Sequence, residues 1–337
     1  MTTGFGMRFT RAAGRHRLAL LALAVWVVAN LAALALAGGY LPFDRPALAR
    51  LPFAAQMAAP TVGLVEIFGL MGVVFWITRR RVIPNMAARA PARAIAARET
   101  TALLAYAMLG QVGGWMLGPA LGYRAFSFHI AGTLVGCSKL ASPAEVWTWM
   151  GYNFAVYAVI PYLWFRRRYS PEQLNLTSIA PRADLILILV IAALESGLEL
   201  AAFPGIFKLT SHQLALAAPL SFLVFFLGTV LPTMVLIYAI LLPRYLRLTG
   251  SMTATVLLGG LTYALMHLVE GWSVFATPRE TALSLIFVFL TYMGPGMFKS
   301  FVTLRTGNAW VHALGYHAVA PHVIADAPMI AKVFAIV

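Results

Sequence analysis

Long apolar runs, each ended by a short polar or basic stretch, recur along almost the whole chain. The runs are about 20 residues long, which is the length that a helix needs to cross a bilayer. The pattern therefore predicts an all-α, polytopic bundle of about eight or nine transmembrane helices. The predicted spans cover residues 18–37, 54–78, 101–121, 146–165, 184–204, 214–242, 252–272, 281–301 and 308–325.

The composition agrees with a membrane protein. Of the 337 residues, 61% are hydrophobic and only 11% are charged, whereas soluble domains average about 25% charged residues. The mean hydropathy is +0.82. The longest polar stretch, residues 167–183, is predicted to be a loop, so no soluble domain can be separated from the membrane part.

The net charge of +14 comes from arginines that stand at the ends of the apolar runs. This distribution follows the positive-inside rule and argues against a nucleic-acid partner. Residues 1–17 are predicted to be a basic tail, which places the N-terminus in the cytoplasm. The many arginines suit a bacterial inner membrane; a cleaved signal peptide over residues 1–38 is an alternative. The arginines of the tail are Arg8, Arg11, Arg15 and Arg17.

Carboxylates and imidazoles inside the predicted spans are the candidate chemistry. A charge at the centre of a membrane helix costs about 3 kcal/mol on insertion scales, so such groups usually face a bundle interior or a wet cavity. Glu195 and Glu199 are four residues apart in the fifth span and therefore share one helix face. Glu66, in the second span, has no polar partner within that span. His129 lies in the mixed segment after the third span, which is predicted to be an outer loop with a partly buried turn. The other candidates are His267, Glu270, His312, His317 and His322.

Three of these residues have matching predicted depths. Glu199 and His267 lie about 15 residues into their spans, or about 22 Å, and His317 lies about 14 Å into the last span. Such a layer could bind a divalent metal such as zinc through His267, His317 and Glu199. It could equally activate water without a metal, with the glutamate as base and the imidazoles as donors to an oxyanion. A proton or ion pathway is a further alternative.

Three short motifs in the C-terminal half resemble those of one family. Residues 263–268, YALMHL, resemble the aromatic-x-x-x-His-Leu motif of the CPBP intramembrane proteases, which include CAAX prenyl proteases and Abi proteins. Residues 304–310, LRTGNAW, are similar to the Arg-Thr-Gly-Ser-x-Trp segment before the family's last motif helix. Residues 199–205, ELAAFPG, are similar to its Glu-Glu-x-x-Phe-Arg-Gly motif. The resemblance covers residues 183–325.

The resemblance implies a peptide-bond hydrolase inside the membrane. Glu199 would be the general base, while His267 and His317 would hold the water or a metal and stabilise the oxyanion. Three supporting residues of the family are replaced by Leu200, Pro204 and Pro321, where it has a glutamate, an arginine and an asparagine. Glu195, one helical turn from Glu199, is a hypothetical substitute for the missing glutamate.

Residues 18–180 are interpreted as transmembrane helices of unknown role, and residues 181–337 as a CPBP-like protease core. The expected partners are the lipid bilayer and a peptide or protein substrate in or at the membrane. Two other functions stay open: a catalytically inactive relative that binds or scaffolds such substrates, and a proton-coupled transporter that uses the same polar residues as a relay.

Overall fold

The computed structural model describes the backbone of residues 3–337 and the side chains of residues 17–337. Arg8, Arg11 and Arg15 of the predicted basic tail lie outside the described side chains. The described backbone is helical, without a β-strand. Its long helices are α1 Thr3–Ala37, α2 Phe53–Thr78, α3 Arg93–Ala120, α4 at residues 143–166, α5 Pro181–Ala202, α6 Ser211–Thr249, α7 Met252–Leu265 and α8 Pro278–Thr306.

Shorter helical stretches connect or follow these helices. Single turns stand between α1 and α2, between α2 and α3, and after α5, at Pro46–Ala49, Met86–Arg89 and Pro204–Lys208. The chain after Gly307 forms the C-terminal segment, residues 308–337. Its helical stretches are Trp310–His312, Ala313–His317, Ala320–Ile324 and Ala327–Val333.

Five helices among the described residues are long and apolar enough to cross a membrane. They are α1 from Arg17 onwards, α2, α5, α6 and α8. The outer faces of α1, α2 and α5 expose large aliphatic side chains such as Leu20, Val65 and Leu189. Exposed apolar faces of this kind are typical of lipid contact. The remaining predicted spans stay a prediction.

Two predicted spans differ from the structure. The seventh was expected to continue to residue 272, but α7 ends at Leu265 and the chain turns at His267 and Glu270. The ninth was expected as one span over residues 308–325, but the C-terminal segment is broken into short stretches. Gly307, with φ of 67°, ends α8, and Pro321 cannot donate a backbone hydrogen bond to a continuous helix.

The second half of α6 is the centre of the bundle. Residues 232–245 are all buried, and a helix that is apolar on every side is typical of a central position. Two π-helical turns, Phe226–Val230 and Met234–Leu241, flank Pro232 in this helix. Proline removes a backbone donor, and π-helical turns are one way in which a helix adapts to such an interruption.

Helices α7 and α8 pack closely because glycines meet at their crossing. A Cβ atom added to Gly296 of α8 would lie 2.9 Å from the Cα of Gly260 and 2.5 Å from the Cβ of Tyr263, both on α7. Small residues at a crossing let two membrane helices approach to backbone contact. This contact fixes Tyr263 and, one turn later, His267 against α8.

A buried carboxylate joins three chain segments at one end of the bundle. Asp184, at the start of α5, accepts hydrogen bonds from Arg81 at 2.5 Å, from Ser178 at 2.6 Å and from Asn308 at 2.8 Å. Nearby, Arg305 near the end of α8 donates to the carbonyl of Thr78 at 2.6 Å. Buried charges of this kind are stable when several hydrogen bonds satisfy them. This end therefore contains Arg81 and Arg305, two of the arginines that stand at the ends of apolar runs.

The loop between α3 and α4, residues 121–142, enters the bundle at the opposite end. Phe128, His129 and Ile130 are buried. The carbonyl of Ser127 accepts hydrogen bonds from Trp149 at 2.6 Å and from Asn153 at 3.2 Å, both on α4. These bonds hold the loop so that His129 lies among the C-terminal helices.

We expect Gly296→Ala to destabilise the protein by about 1–3 kcal/mol, the usual cost of overpacking a filled core. The added methyl group would push α7 away from α8, because its neighbours are backbone and Cβ atoms that cannot rotate aside. Thermal unfolding in detergent measures the change. Gly69→Ala on α2 is the matched control, since no atom outside its own helix lies within 4 Å of the added Cβ. Equal unfolding temperatures for the two variants would contradict the packing argument.

Candidate functional site

A cavity of about 360 Å³ lies between α2, α5, α7, α8 and the C-terminal segment. Its lining combines apolar side chains with an unusual number of ionisable ones for a membrane bundle. A polar cavity at this position is where charged groups of a membrane protein are expected to gather. The ionisable lining residues are Arg45, Glu66, His129, Glu195, Glu199, Tyr263, Tyr292, Lys299, Tyr316, His317 and His322.

Carboxylates form one wall of the cavity. Glu195 and Glu199 lie on the inward face of α5, as their four-residue spacing predicts, and Glu66 of α2 lies opposite them. The carboxyl groups of Glu66 and Glu195 are neighbours in this wall, and Oε2 of Glu195 is buried without a hydrogen-bond partner. Since an ionised carboxylate has no hydrogen to donate, a hydrogen bond between the two groups would need one shared proton. Glu66 has no acidic neighbour within α2; its partner comes from another helix.

A buried lysine lies beside the acidic wall. Lys299, in the middle of α8, is only 1% exposed. Its ammonium nitrogen Nζ lies 3.8 Å from the ring centroid of Tyr263 and 5.7 Å from that of Tyr316. Both rings can stabilise the cation through their π faces, and Glu195 is close enough for its charge to act on Lys299. The cavity therefore brings an amine close to carboxyl groups.

Imidazoles form a second part of the cavity lining. The rings of His317 and His322 have centroids 5.2 Å apart, and that of His129 lies 6.3 Å from His322. Nε2 of His317 lies 3.4 Å from the hydroxyl of Tyr263, and Nδ1 of His322 lies 3.2 Å from a carboxylate oxygen of Asp326. Burial raises the pKa of the Asp326 carboxyl, while the hydrogen bond with His322 opposes that rise.

His267 lies one layer behind the cavity wall. Its ring stacks on Tyr292 at a centroid distance of 4.1 Å and packs 4.4 Å from Tyr263. Its Nδ1 lies 2.6 Å from the carbonyl oxygen of Tyr263, so Nδ1 carries the hydrogen and donates. In a neutral ring, Nε2 then has a lone pair and can only accept or bind a cation. This Nε2 atom is buried without a hydrogen-bond partner.

Three of the four predicted catalytic residues line the cavity, and the fourth lies behind it. Glu195, Glu199 and His317 line one cavity, and His267 lies behind Tyr263 and Tyr292, which line it as well. His312 lies elsewhere, with its Nδ1 3.1 Å from the hydroxyl of Thr303. His212 is exposed. The role of each residue stays a prediction.

The side chains that could hold one metal ion are a different set from the predicted one. Within the described part of the chain, ligand atoms of His129, His267 and Glu270 all lie within 4.8 Å of one another. The predicted set was Glu199, His267 and His317, so only His267 is common to both. Imidazole nitrogen and carboxylate oxygen are both suitable donors for zinc.

Sequence reasoning missed Lys299 and underrated two other residues. A lysine within a predicted span is a functional candidate by the same rule that identified the glutamates, so Lys299 could have been found. Glu66 was considered without a partner, and His129 was placed in a loop of uncertain burial. Glu66 meets Glu195, and His129 meets Glu270, across more than 100 positions of the sequence. The periodicity of a single helix contains no information about contacts between such distant residues.

Comparison with known proteins adds no relative: no family model, no curated protein and no solved structure matches this chain.

We expect Lys299 and Glu195 to stabilise each other, so that a double-mutant cycle shows coupling of about 0.5–3 kcal/mol. Lys299→Met leaves the carboxylates without their buried cation, and Glu195→Gln keeps the side-chain volume while removing a charge. The double variant should therefore lose less stability than the two single losses combined. Chemical unfolding in detergent gives the three free energies.

Glu172 is the control partner for this cycle because its side chain is exposed in a loop. Lys299→Met combined with Glu172→Gln should be additive within about 0.5 kcal/mol. Additive behaviour of the Lys299–Glu195 pair would show that the two charges do not interact.

Proposed function

We propose that this protein is an intramembrane peptidase of the CPBP type, which hydrolyses a peptide bond of a membrane-associated or lipidated substrate. One observation carries the proposal: the carboxylates of α5 and the imidazole of His317 line one cavity, with His267 packed behind its tyrosines. A general base, imidazoles and room for water are what such a hydrolysis requires. The motif resemblance at Glu199, His267 and His317 supports the same activity.

Glu199 is the proposed general base. It is less buried than Glu195 and lies on the same helix face, so water in the cavity can reach its carboxylate. It takes a proton from that water, which then attacks the substrate carbonyl. His317, which lines the same cavity, stabilises the oxyanion that forms.

Glu195 has a supporting role in this proposal. It lies between Glu66 and Lys299 and so influences the charge of the acidic wall around Glu199. In this arrangement Glu195 takes the place of the second glutamate of the CPBP motif, where this chain has Leu200. A divalent metal such as zinc, if bound near His267, would supply Lewis-acid polarisation of the carbonyl; the glutamate mechanism without metal is the alternative.

The substrate is proposed to reach the cavity from the bilayer between α2 and α5. Glu66 and Glu199 are both partly exposed at this boundary, and the neighbouring lining of α2 is small or aliphatic. An apolar chain could lie against that lining while its peptide bond meets the carboxylates. The lining residues of α2 are Ala59, Pro60, Gly63, Leu64 and Ile67.

The proposed topology has about nine spans in a bacterial inner membrane, with the N-terminus in the cytoplasm. This arrangement is supported by the different contents of the two ends of the bundle. The Asp184 cluster, with its arginines, lies at the proposed cytoplasmic end, and the buried loop with His129 meets the turn after α7 at the other end.

Reporter fusions test the topology directly. A fusion after residue 170 should report the cytoplasm, because the arginines at the end of α4 hold that loop inside. A fusion after residue 275 should report the outer side, because three predicted spans, an odd number, lie between residues 170 and 275. Both reporters on the same side would show that the proposed number of spans between residues 170 and 275 is wrong.

A proton-coupled carrier is the second candidate function. The observation that favours it is Lys299 among Glu66, Glu195 and the tyrosines, since buried acid and base groups on neighbouring helices are typical of proton relays. An inactive CPBP relative that only binds its peptide is the third, supported by the replacements at Leu200, Pro204 and Pro321.

Peptide cleavage by the purified protein in proteoliposomes separates these functions. We expect Glu199→Gln to lower the cleavage rate by about 100-fold to 10,000-fold, the usual contribution of a general base. His267→Ala and His317→Ala should lose cleavage to a similar extent, and Glu195→Gln should lose part of it. A fluorogenic library of membrane-anchored peptides provides the substrates.

Glu172→Gln and His212→Ala are the controls, because both residues are exposed and far from the cavity. Each should cleave like the wild type. Binding of peptides without cleavage would favour the inactive relative. Proton flux coupled to solute uptake, sensitive to Lys299→Met, would favour the carrier. Unchanged cleavage in Glu195→Gln would remove that residue from the site.

A further inference from the structure

Three separate chain segments meet beside the cavity at the end of the bundle opposite the Asp184 cluster. The loop between α3 and α4 brings His129, the turn after α7 brings His267, and the same turn brings Glu270 three residues later. The ring centroids of His129 and His267 are 5.1 Å apart. Nδ1 of His129 lies 3.0 Å from Oε1 of Glu270. All three residues are buried, at 6%, 0% and 2% exposed.

The orientation of His267 makes it a ligand rather than a donor. Its Nδ1–H donates to the carbonyl of Tyr263, which leaves the buried and unpartnered Nε2 as the ring nitrogen that is available to a ligand. A neutral imidazole in this tautomer cannot donate a hydrogen bond from Nε2 to an oxyanion. A buried lone pair without a partner is costly. A cation at this position would satisfy it.

The His129–Glu270 pair supplies the other donors. In the structure, a proton joins Nδ1 of His129 to the carboxylate of Glu270. Metal ligands must give up such protons, and an ion commonly takes the place that a proton holds between two ligand groups. The net charge of the three side chains is then negative through Glu270, which favours a cation in a buried site.

We propose that His129, His267 and Glu270 form a binding site for one divalent transition metal ion, most suitably zinc, at the wall of the cavity. The site requires no peptidase activity, because its ligands are complete without Glu199 or His317. Two imidazoles and one carboxylate are a donor set that suits zinc, whereas calcium and magnesium prefer oxygen ligands alone.

Neighbouring residues support the ligands in the way that outer-shell groups do in zinc sites. The Tyr263 carbonyl fixes the tautomer of His267. The hydroxyl of Ser127 lies 3.3 Å from Oε2 of Glu270, the oxygen turned away from His129. Tyr292 stacks on both imidazoles, and its hydroxyl lies 3.3 Å from Nδ1 of His129. The ligands are therefore held in place before an ion binds.

The site has three protein ligands and an open side. His129, Tyr263 and Tyr292 line the cavity as well as the site, so solvent in the cavity can reach a fourth position. Structural zinc sites have four protein ligands, whereas sites with three ligands and an open position bind water or substrate. Zinc bonds are about 2.0–2.2 Å long, so tetrahedral ligand atoms lie about 3.4 Å apart. The ligand atoms of the present group lie within 4.8 Å of one another, so they would have to move closer together when an ion binds.

Metal binding by the purified full-length protein tests the proposal without any substrate. The protein is stripped with a chelator, loaded with Zn²⁺ or Co²⁺, and analysed for bound metal by mass spectrometry. We expect one ion per chain and a Co²⁺ absorption spectrum of four-coordinate nitrogen and oxygen ligands. Loss of one ligand in His129→Ala, His267→Ala or Glu270→Gln should weaken binding by at least about 100-fold, since outer-shell losses alone cost about 10–100-fold.

Two variants serve as matched controls. His312→Ala removes an equally buried imidazole that lies apart from the group and contacts Thr303, so its metal affinity should equal that of the wild type. Ser127→Ala removes only the hydroxyl beside Glu270 and should weaken binding by about tenfold. Because its backbone carbonyl still accepts from Trp149 and Asn153, this variant remains informative if a ligand variant fails to fold.

Several results would overturn the proposal. These are a wild-type protein that binds neither ion after loading, ligand variants that bind as tightly as the wild type, and metal loss in Glu199→Gln and His317→Ala instead. The last result would place the ion on the ligand set predicted from sequence. Glu199→Gln that abolishes cleavage and keeps its metal would support both proposals, whereas a metal-binding wild type without peptidase activity would end only the peptidase.

Discussion

The structure depends on the high free energy of a charge in lipid. Glu66, Glu195, Glu199 and Lys299 all lie within helices that are long and apolar enough to cross a membrane. An unpaired charge there would oppose insertion. The bundle places these groups around one cavity, where carboxylates meet each other, a lysine and several imidazoles. Each helix can therefore expose an apolar face to lipid and keep its polar residues inside.

Close packing of α7 on α8 makes this cavity possible. Gly260 and Gly296 bring the two backbones together, and this contact places Tyr263 between Lys299 and the imidazoles of His267 and His317. The tyrosine has three roles: its ring faces the cation, its hydroxyl approaches His317, and its carbonyl fixes the tautomer of His267. One residue thus links the acidic wall to the histidine wall.

The chemistry of the site follows from which nitrogen and oxygen atoms already have hydrogen-bond partners. His267 donates from Nδ1 and leaves Nε2 free, so it suits a cation better than an oxyanion. Glu195 is buried beside Glu66, whereas Glu199 is more accessible on the same helix face. These assignments divide the polar residues into a carboxylate group suited to water activation and a His129–His267–Glu270 group suited to a metal, joined by the shared cavity.

The sequence alone determined the helical class, the membrane character and most helix positions, because apolar length and the distribution of arginines act locally along the chain. It also identified Glu195, Glu199, His267 and His317, since a polar residue in an apolar run is visible without a fold. Only the tertiary structure decided which of them meet. The pairing of Glu66 with Glu195, the position of Lys299 and the approach of His129 to Glu270 join residues that are far apart in the chain. Such contacts depend on how helices pack and how a loop re-enters the bundle, and these are properties of the whole assembly.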